Sequence, residues 1–257
     1  MKKLLLATGA LAFAMGTAGA ADLPPAPTYK APIAAPVEPS WTGCWISGGV
    51  GYGLYDTYQT QESNPGFIAV TQTIDSAGHG WLGRGGVGCD YQIGSSFVIG
   101  AFGDYDFMNI HGTISPGALT IAGDMNESSA WAVGGRIGYL PWPNLMTYVD
   151  AGWTQTKFDQ ITLSGLILGT TLSNLIGSNT YNGWFIGGGT EYRLPWANGL
   201  FWRTEYRFSS YQAVDLPVLT AAGVPITSAE HLQPNVQTAT TSLVWKFNWG
   251  GPVVAKY

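Results

Sequence analysis

Charge is scarce in this chain. Only 11% of its 257 residues are Asp, Glu, Lys or Arg, while 46% are hydrophobic. That is little charge for a soluble secreted protein, whose usual share is about a quarter. Beyond the amino-terminal segment no apolar run reaches the ~20 residues that a spanning helix requires. A helical inner-membrane protein is thereby excluded. A barrel is not, because its strands carry hydrophobicity only at alternate positions. Basic residues are the scarcer sign, 11 against 16 acidic. Once Lys2 and Lys3 are removed by processing, 9 remain and the balance is −7, which argues against nucleic acid as a partner. Histidine occurs three times and cysteine twice. No metal-ligand spacing, phosphate-binding loop or nucleophile elbow is found, so no cofactor, no metal and no catalytic residues are expected. Gly83–Gly88 and Gly187–Gly189 fall inside strand-like runs and are not dinucleotide fingerprints.

What the chain does have begins with a leader. Lys2 and Lys3 precede an apolar stretch from Leu4 to Met15 and then Ala18-Gly19-Ala20, the layout of a secretory signal peptide. Residues 1–20 are assigned to it, with cleavage after Ala20 preferred and after Ala21 as the alternative. Residues 21–40 contain Pro24, Pro25, Pro27, Pro32, Pro36 and Pro39 with few large apolar side chains. Such a segment favours extended conformations and builds no core. The barrel and a short tail occupy residues 41–257.

From Trp41 onward the chain divides into about eight runs of alternating character: Cys44–Thr57, Gly80–Tyr91, Phe97–Ile110, Ser128–Leu140, Leu145–Phe158, Tyr181–Leu194, Leu200–Tyr211 and Val236–Phe247. A period of two marks strands with unlike faces. Short links at Gln92–Ser96, Pro141–Asn144 and Pro195–Gly199 alternate with long ones at Tyr58–His79, His111–Glu127, Asp159–Thr180 and Gln212–Asn235. Alternation of that kind is expected of periplasmic turns and extracellular loops. The fold class is therefore all-β, a single antiparallel up-and-down transmembrane barrel. Ile161–Ile176 is too apolar for a solvated loop, and is expected to extend the fifth and sixth strands as a hairpin.

One set of alternate residues is charged. It holds Arg84, Asp90, Asp104, Asp106, Arg136, Asp150, Glu191, Arg193, Arg203, Glu205, Arg207 and Lys246, with Gly134, Gly138, Gly187 and Gly189 expected to make room for the arginines. In so narrow a barrel these side chains fill the lumen as an ion-paired plug; a polar conduit is the other reading. The opposite set is apolar, and Trp131, Trp153, Trp184, Trp202 and Trp245 are expected in aromatic girdles at the two interfaces. Cys44 and Cys89 lie at similar heights on the first two strands. A disulfide is permitted in an oxidising compartment, and both the bonded and the free state stand open. His79, His111 and His231 fall in or beside long loops, and His111 with Ser115 would be the pair for an outer-membrane hydrolase.

Trp41-Thr42-Gly43-Cys44-Trp45, the run Gly48-Gly49-Val50-Gly51-Tyr52-Gly53, Ala21-Asp22-Leu23-Pro24, Gly134–Tyr139 and Leu243–Phe247 resemble segments of small alphaproteobacterial outer-membrane β-barrel (porin-family) proteins. Cys44 stands where those proteins usually carry an aromatic residue. The resemblance implies an eight-stranded barrel in the Gram-negative outer membrane with a structural and surface role. It also implies that Thr240, Trp245 and Phe247 serve as the recognition signal for the outer-membrane assembly machinery, with Ser242 in place of the usual glycine. Outer-membrane lipid is the surrounding partner, and the partner of the surface loops is unknown. The alternatives are a narrow porin for small polar solutes, a hydrolase and a soluble lipocalin-like barrel.

Overall fold

The computed structural model describes residues 40–115, 121–167 and 170–247. The expected signal peptide, the leader up to residue 39 and the tail after Phe247 lie outside the described residues. Within them are eleven strands: β1 Gly43–Ser63, β2 Ile74–Ile93, β3 Phe97–Ile114, β4 Ile121–Trp142, β5 Leu145–Phe158, β6 Ile161–Ile167, β7 Thr170–Ile176, β8 Asn179–Arg193, β9 Leu200–Tyr211, β10 Val214–Thr220 and β11 Pro225–Phe247. All described pairings between these strands are antiparallel.

Eight of these strands form a closed ring in the order β1-β2-β3-β4-β5-β8-β9-β11, with β11 returning to β1. Closure leaves no unpaired edge, which a lipid environment demands. At the short-turn end, Gly94 and Gly199 adopt φ of 62° and 79°, values that glycine reaches without a Cβ clash. Side chains alternate sharply around the wall. On β9, Phe201, Arg203, Glu205 and Arg207 are buried while Trp202 and Tyr206 are more than half exposed. On β5, Met146, Tyr148 and Asp150 face inward and Val149 and Trp153 outward.

Several strands are much longer than the eight runs read from the sequence. β1 has 21 residues, β4 22 and β11 23, whereas a tilted strand crosses a bilayer in about 9–11. The excess rises beyond the apolar belt as a second tier. There β4 leaves β5 to pair with β6, and β11 leaves β9 to pair with β10. β7 joins β6 to β10, so the upper wall runs β1-β2-β3-β4-β6-β7-β10-β11 and closes again on β1. Much of what reads as long loops is thus strand. His79, His111 and His231 sit on β2, β3 and β11, not in loops.

The apolar segment Ile161–Ile176 is a hairpin, β6–β7, but it does not prolong its sequence neighbours β5 and β8. It turns aside to complete the upper ring. Ile161, Leu163 and Ile176 are buried there against Tyr55, Ile110, Ile114, Met125, Phe158, Tyr181 and Leu232. Tyr55 and Tyr181 both pack edge-on against Phe158, with ring centroids 5.4 and 5.6 Å away. Each such side chain contributes about 1.5–3 kcal/mol on full burial, so the upper tier has a core of its own.

Cys44 and Cys89 are directly opposed in the β1–β2 register and are bonded as a disulfide. It ties β1 to β2 close to the short-turn end, across a sequence separation of 45. Unfolded but unreduced protein should therefore show no thiol to a maleimide reagent, and two after reduction; two thiols without reduction would contradict the bond.

Candidate functional site

The ring encloses three stacked layers. At the short-turn end the mouth is filled by Trp41, Trp45, Val98, Leu140, Met146, Tyr148, Phe201 and Val244. Trp41 acts as a stopper: its backbone N–H donates to Gln92 Oε1 at 2.8 Å and its indole to the Pro143 carbonyl at 3.2 Å. Its ring packs on Phe201 with centroids 5.0 Å apart.

The middle layer is ionic, in two nodes. In the lower one Asp90 and Glu191 are surrounded by Arg136, Arg203 and Lys246. Arg136 meets Asp90 at 2.6 Å and Glu191 at 3.2 Å. Arg203 meets Glu191 at 2.8 Å, and Lys246 reaches Asp90 at 3.0 Å and Glu191 at 2.9 Å. In the upper node Arg84 forks onto Asp106 with two bonds of 2.7 Å and reaches Glu205 at 2.7 Å. Arg207 forks onto Asp104 at 2.9 and 2.8 Å and touches Glu205 at 2.9 Å. Paired guanidinium–carboxylate forks of this kind are the strong, geometrically specific form of the contact. Tyr148 joins the nodes: its hydroxyl donates to Glu205 at 2.8 Å, and Arg136 lies 5.2 Å over its ring. Trp45 also floors the lower node, with Arg203 4.0 Å above its ring.

Most of the charges named from the sequence meet here, and two differ from the reading. Arg193 makes no ion pair among the described residues. It lies at the short-turn rim, 5.1 Å over Phe201, and donates to the Ser40 carbonyl at 3.3 Å. Strand parity points it toward the mouth, but it is too near the end of β8 to reach a carboxylate. Asp150 lies in the lumen, 2% exposed, yet neither carboxylate oxygen has a hydrogen-bond partner. The glycines also play another part than expected. A Cβ on Gly134 would stand 2.7 Å from the Phe185 ring, one on Gly138 2.6 Å from Met146 Sδ, and one on Gly189 2.8 Å from the Tyr148 hydroxyl. A Cβ on Gly187 would collide with Asp150. They make room for aromatic, thioether and carboxylate groups, not for arginines.

Above the ionic layer lies the apolar core of the upper tier. Between the two, a space lined by Arg84, Asp104, Thr154, Arg207 and Thr238 has a volume of ≈ 10 Å³, about the least that holds one water. Two carboxylates intrude into the upper core, and sequence reasoning missed both. Glu127 is 0% exposed and accepts from Thr156 at 2.6 Å. Glu230 is 0% exposed with no partner on either oxygen. Glu230 shares the inward parity of Thr240 and Lys246 on β11, the one signal that could have found it. Glu127 has the opposite parity to Arg136, because the β4–β5 register shifts between Glu127 and Ser129, so alternation in the sequence does not reveal it. Their outward neighbours Asn126, Ser128 and His231 are polar, so both stand beyond the apolar belt. Burial pushes the Glu127 carboxyl up to about 8 and the Glu230 carboxyl, helped by nearby Glu62, up to about 7.

On the outer wall Trp153, Trp184, Trp202 and Trp245 are 43–53% exposed. Trp131 packs on Trp153 at 5.1 Å and donates to Gln155. Trp202 and Trp245, with Tyr139 and Tyr192, ring the short-turn end, while Trp131, Trp153 and Trp184 stand at the far edge of the belt, below Gln155 and Asn182. In β11, Thr240 faces the lumen, and Trp245 and Phe247 face out with ring centroids 5.0 Å apart. His111 bonds Asn109 through Nε2, and Ser115 offers its carbonyl to Gln59; the two are not joined as nucleophile and base.

A family model described as "Outer membrane protein beta-barrel domain" matches residues 8–247. The 31 kDa outer-membrane immunogenic protein of Brucella melitensis is 29% identical over 220 residues, 81% of this chain and 87% of that protein. Among solved structures, the outer membrane protein OprG of Pseudomonas aeruginosa covers 80% of this chain and 97% of its own at 9% identity and a TM-score of 0.49. Ail, the attachment invasion locus protein of Yersinia pestis, covers 80% and 99% at 13% identity and 0.38.

Two predictions follow from the layers. Arg84→Ala strands Asp106 in the lumen and leaves Glu205 with Arg207 and Tyr148 alone. It should cost about 3–5 kcal/mol, read as a lowered urea midpoint for the folded, heat-modifiable band, and Arg193→Ala should cost far less. For Glu127 and Glu230 the folded-state values lie above 4.5. Their contribution is complete below about pH 4.5 and is lost as pH rises through about 7 and 8. Glu127→Gln should therefore raise the midpoint relative to the parent at pH 9, with the difference shrinking by pH 5.

Proposed function

Because the chain belongs to the outer membrane protein β-barrel domain family, we propose that it serves the cell outer membrane as a closed, integral barrel whose upper tier is its working face. The observation that carries this is the filled lumen: a tryptophan-stoppered mouth, an ionic layer and an apolar core in series. A solute would have to break buried forks in one layer and open a packed core in the next. Either step exposes unpaired charge or loses packing worth several kcal/mol.

The upper tier and its loops are then what the barrel displays at the cell surface. From Tyr55 to Gly78, Asn109 to Ser128, Gln155 to Tyr181 and Tyr211 to Val236 the chain holds eight carboxylates and one lysine; with Glu127 and Glu230 buried in the core, six carboxylates remain against that lysine. An acidic face of this kind favours cationic partners and repels anionic ones. The Brucella relative is named as an immunogenic protein, and a rigid projecting tier is what an extracellular binding protein would meet. Outer-membrane lipid surrounds the belt, and Thr240, Trp245 and Phe247 are assigned to recognition by the assembly machinery. The reading gives the barrel no catalytic step.

Refolded protein in planar bilayers should give no stable single-channel steps. Discrete, reproducible steps from folded barrel would instead establish the narrow-porin reading.

A further inference from the structure

The upper tier carries a cluster that nothing in the lumen explains. Glu62 on β1, Asp215 on β10 and His231 on β11 each offer one ligand atom, all within 4.8 Å of one another. The backbone fixes the arrangement. Asp215 is directly opposite His231 in the β10–β11 register, and His231 is opposite Thr60. Glu62, opposite Ala229, is therefore the diagonal neighbour of His231 on the same face. His231 Nδ1 bonds Asp215 Oδ1 and stands 4.0 Å from Glu62 Oε1.

A further observation points to a cation at this place. The Glu62 side chain is only 12% exposed, and its Oε2 is enclosed without a hydrogen-bond partner. Buried carboxylates are normally paired or coordinate a metal, and among the described residues no lysine or arginine pairs with Glu62.

We propose that Glu62, Asp215 and His231 bind a borderline divalent cation of the zinc class, which clips β1, β10 and β11 together at the upper tier. Imidazole nitrogen beside two carboxylates suits such ions better than calcium or magnesium, which prefer all-oxygen sites. Bonds of about 2.0–2.2 Å to a tetrahedral ion place neighbouring ligand atoms about 3.4 Å apart. Asp215 must back away slightly and Glu62 must swing in; both are side-chain rotations. His231 and Asp215 are 40% and 39% exposed, which leaves a fourth position open to water.

The test uses the full-length refolded barrel, stripped with chelator and titrated with zinc chloride by calorimetry. Folding of every variant is verified by its heat-modifiable gel shift. Saturable binding of one zinc per chain is expected. His231→Ala and Glu62→Gln should each weaken it by about tenfold or more, while the double variant H79A/H111A leaves it unchanged. Zinc should raise the unfolding midpoint of the parent and not of H231A. Absence of saturable binding overturns the proposal, as does binding that survives both substitutions or is lost in H79A/H111A. Should H231A fail to fold, E62Q alone decides between the outcomes.

Discussion

Twenty consecutive backbone pairings between β1 and β11, from Cys44–Phe247 to Ser63–Ser228, close the sheet on itself, and the rest of the structure depends on that closure. A slip of one residue would turn every side chain of a strand to the other face. Val50, Leu243 and Trp245 would then enter the lumen, and Lys246 would be driven into lipid. The register is held because each strand carries incompatible chemistry on its two sides.

The closure also explains the division of the interior. Within the belt the lumen is narrow, and side chains from opposite walls meet across it. There the chain concentrates its few charges: Arg84, Arg136, Arg203, Arg207 and Lys246 against Asp90, Asp104, Asp106, Glu191 and Glu205, with Asp150 in excess. Ion pairs so deeply placed add little net stability against an apolar core of the same size. Their removal one at a time is costly, so they fix which strand faces which. Beyond the belt the same ring continues with β6, β7 and β10 in place of β5, β8 and β9, and changes to an apolar interior. Water outside takes the place of lipid, and the upper tier folds like a small soluble β-barrel.

The lower tier was legible in the sequence because its signal is local. Alternation between Tyr181 and Glu205, interrupted by Pro195–Gly199, reads directly as two strands and a turn, and parity placed Glu191, Arg203, Glu205 and Arg207 on one face. Arg193 has the same parity; only its depth, which parity does not encode, separates it from the network. The upper tier was legible only as an anomaly. Ile161, Leu163 and Ile176 marked a segment unfit for solvent, but its partners are β4 and β10, and long-range pairing leaves no local trace. The same holds for Glu62, Asp215 and His231, brought together across 169 positions of chain by the β10–β11–β1 register. The glycines misled for a related reason: a small residue shows that something approaches, not whether it is Phe185 or an arginine.

The central claim is that the lumen is sealed from both sides. A single cysteine at Thr238, which lines the small space between the ionic and apolar layers, tests it most directly in a barrel with Cys44 and Cys89 replaced by serine. Folded Thr238→Cys protein in detergent should stay unlabelled by a small charged maleimide and react only after heating, while Thr113→Cys on the exposed upper wall reacts at once. Labelling of the folded Thr238→Cys barrel at the rate of the exposed site would contradict the account.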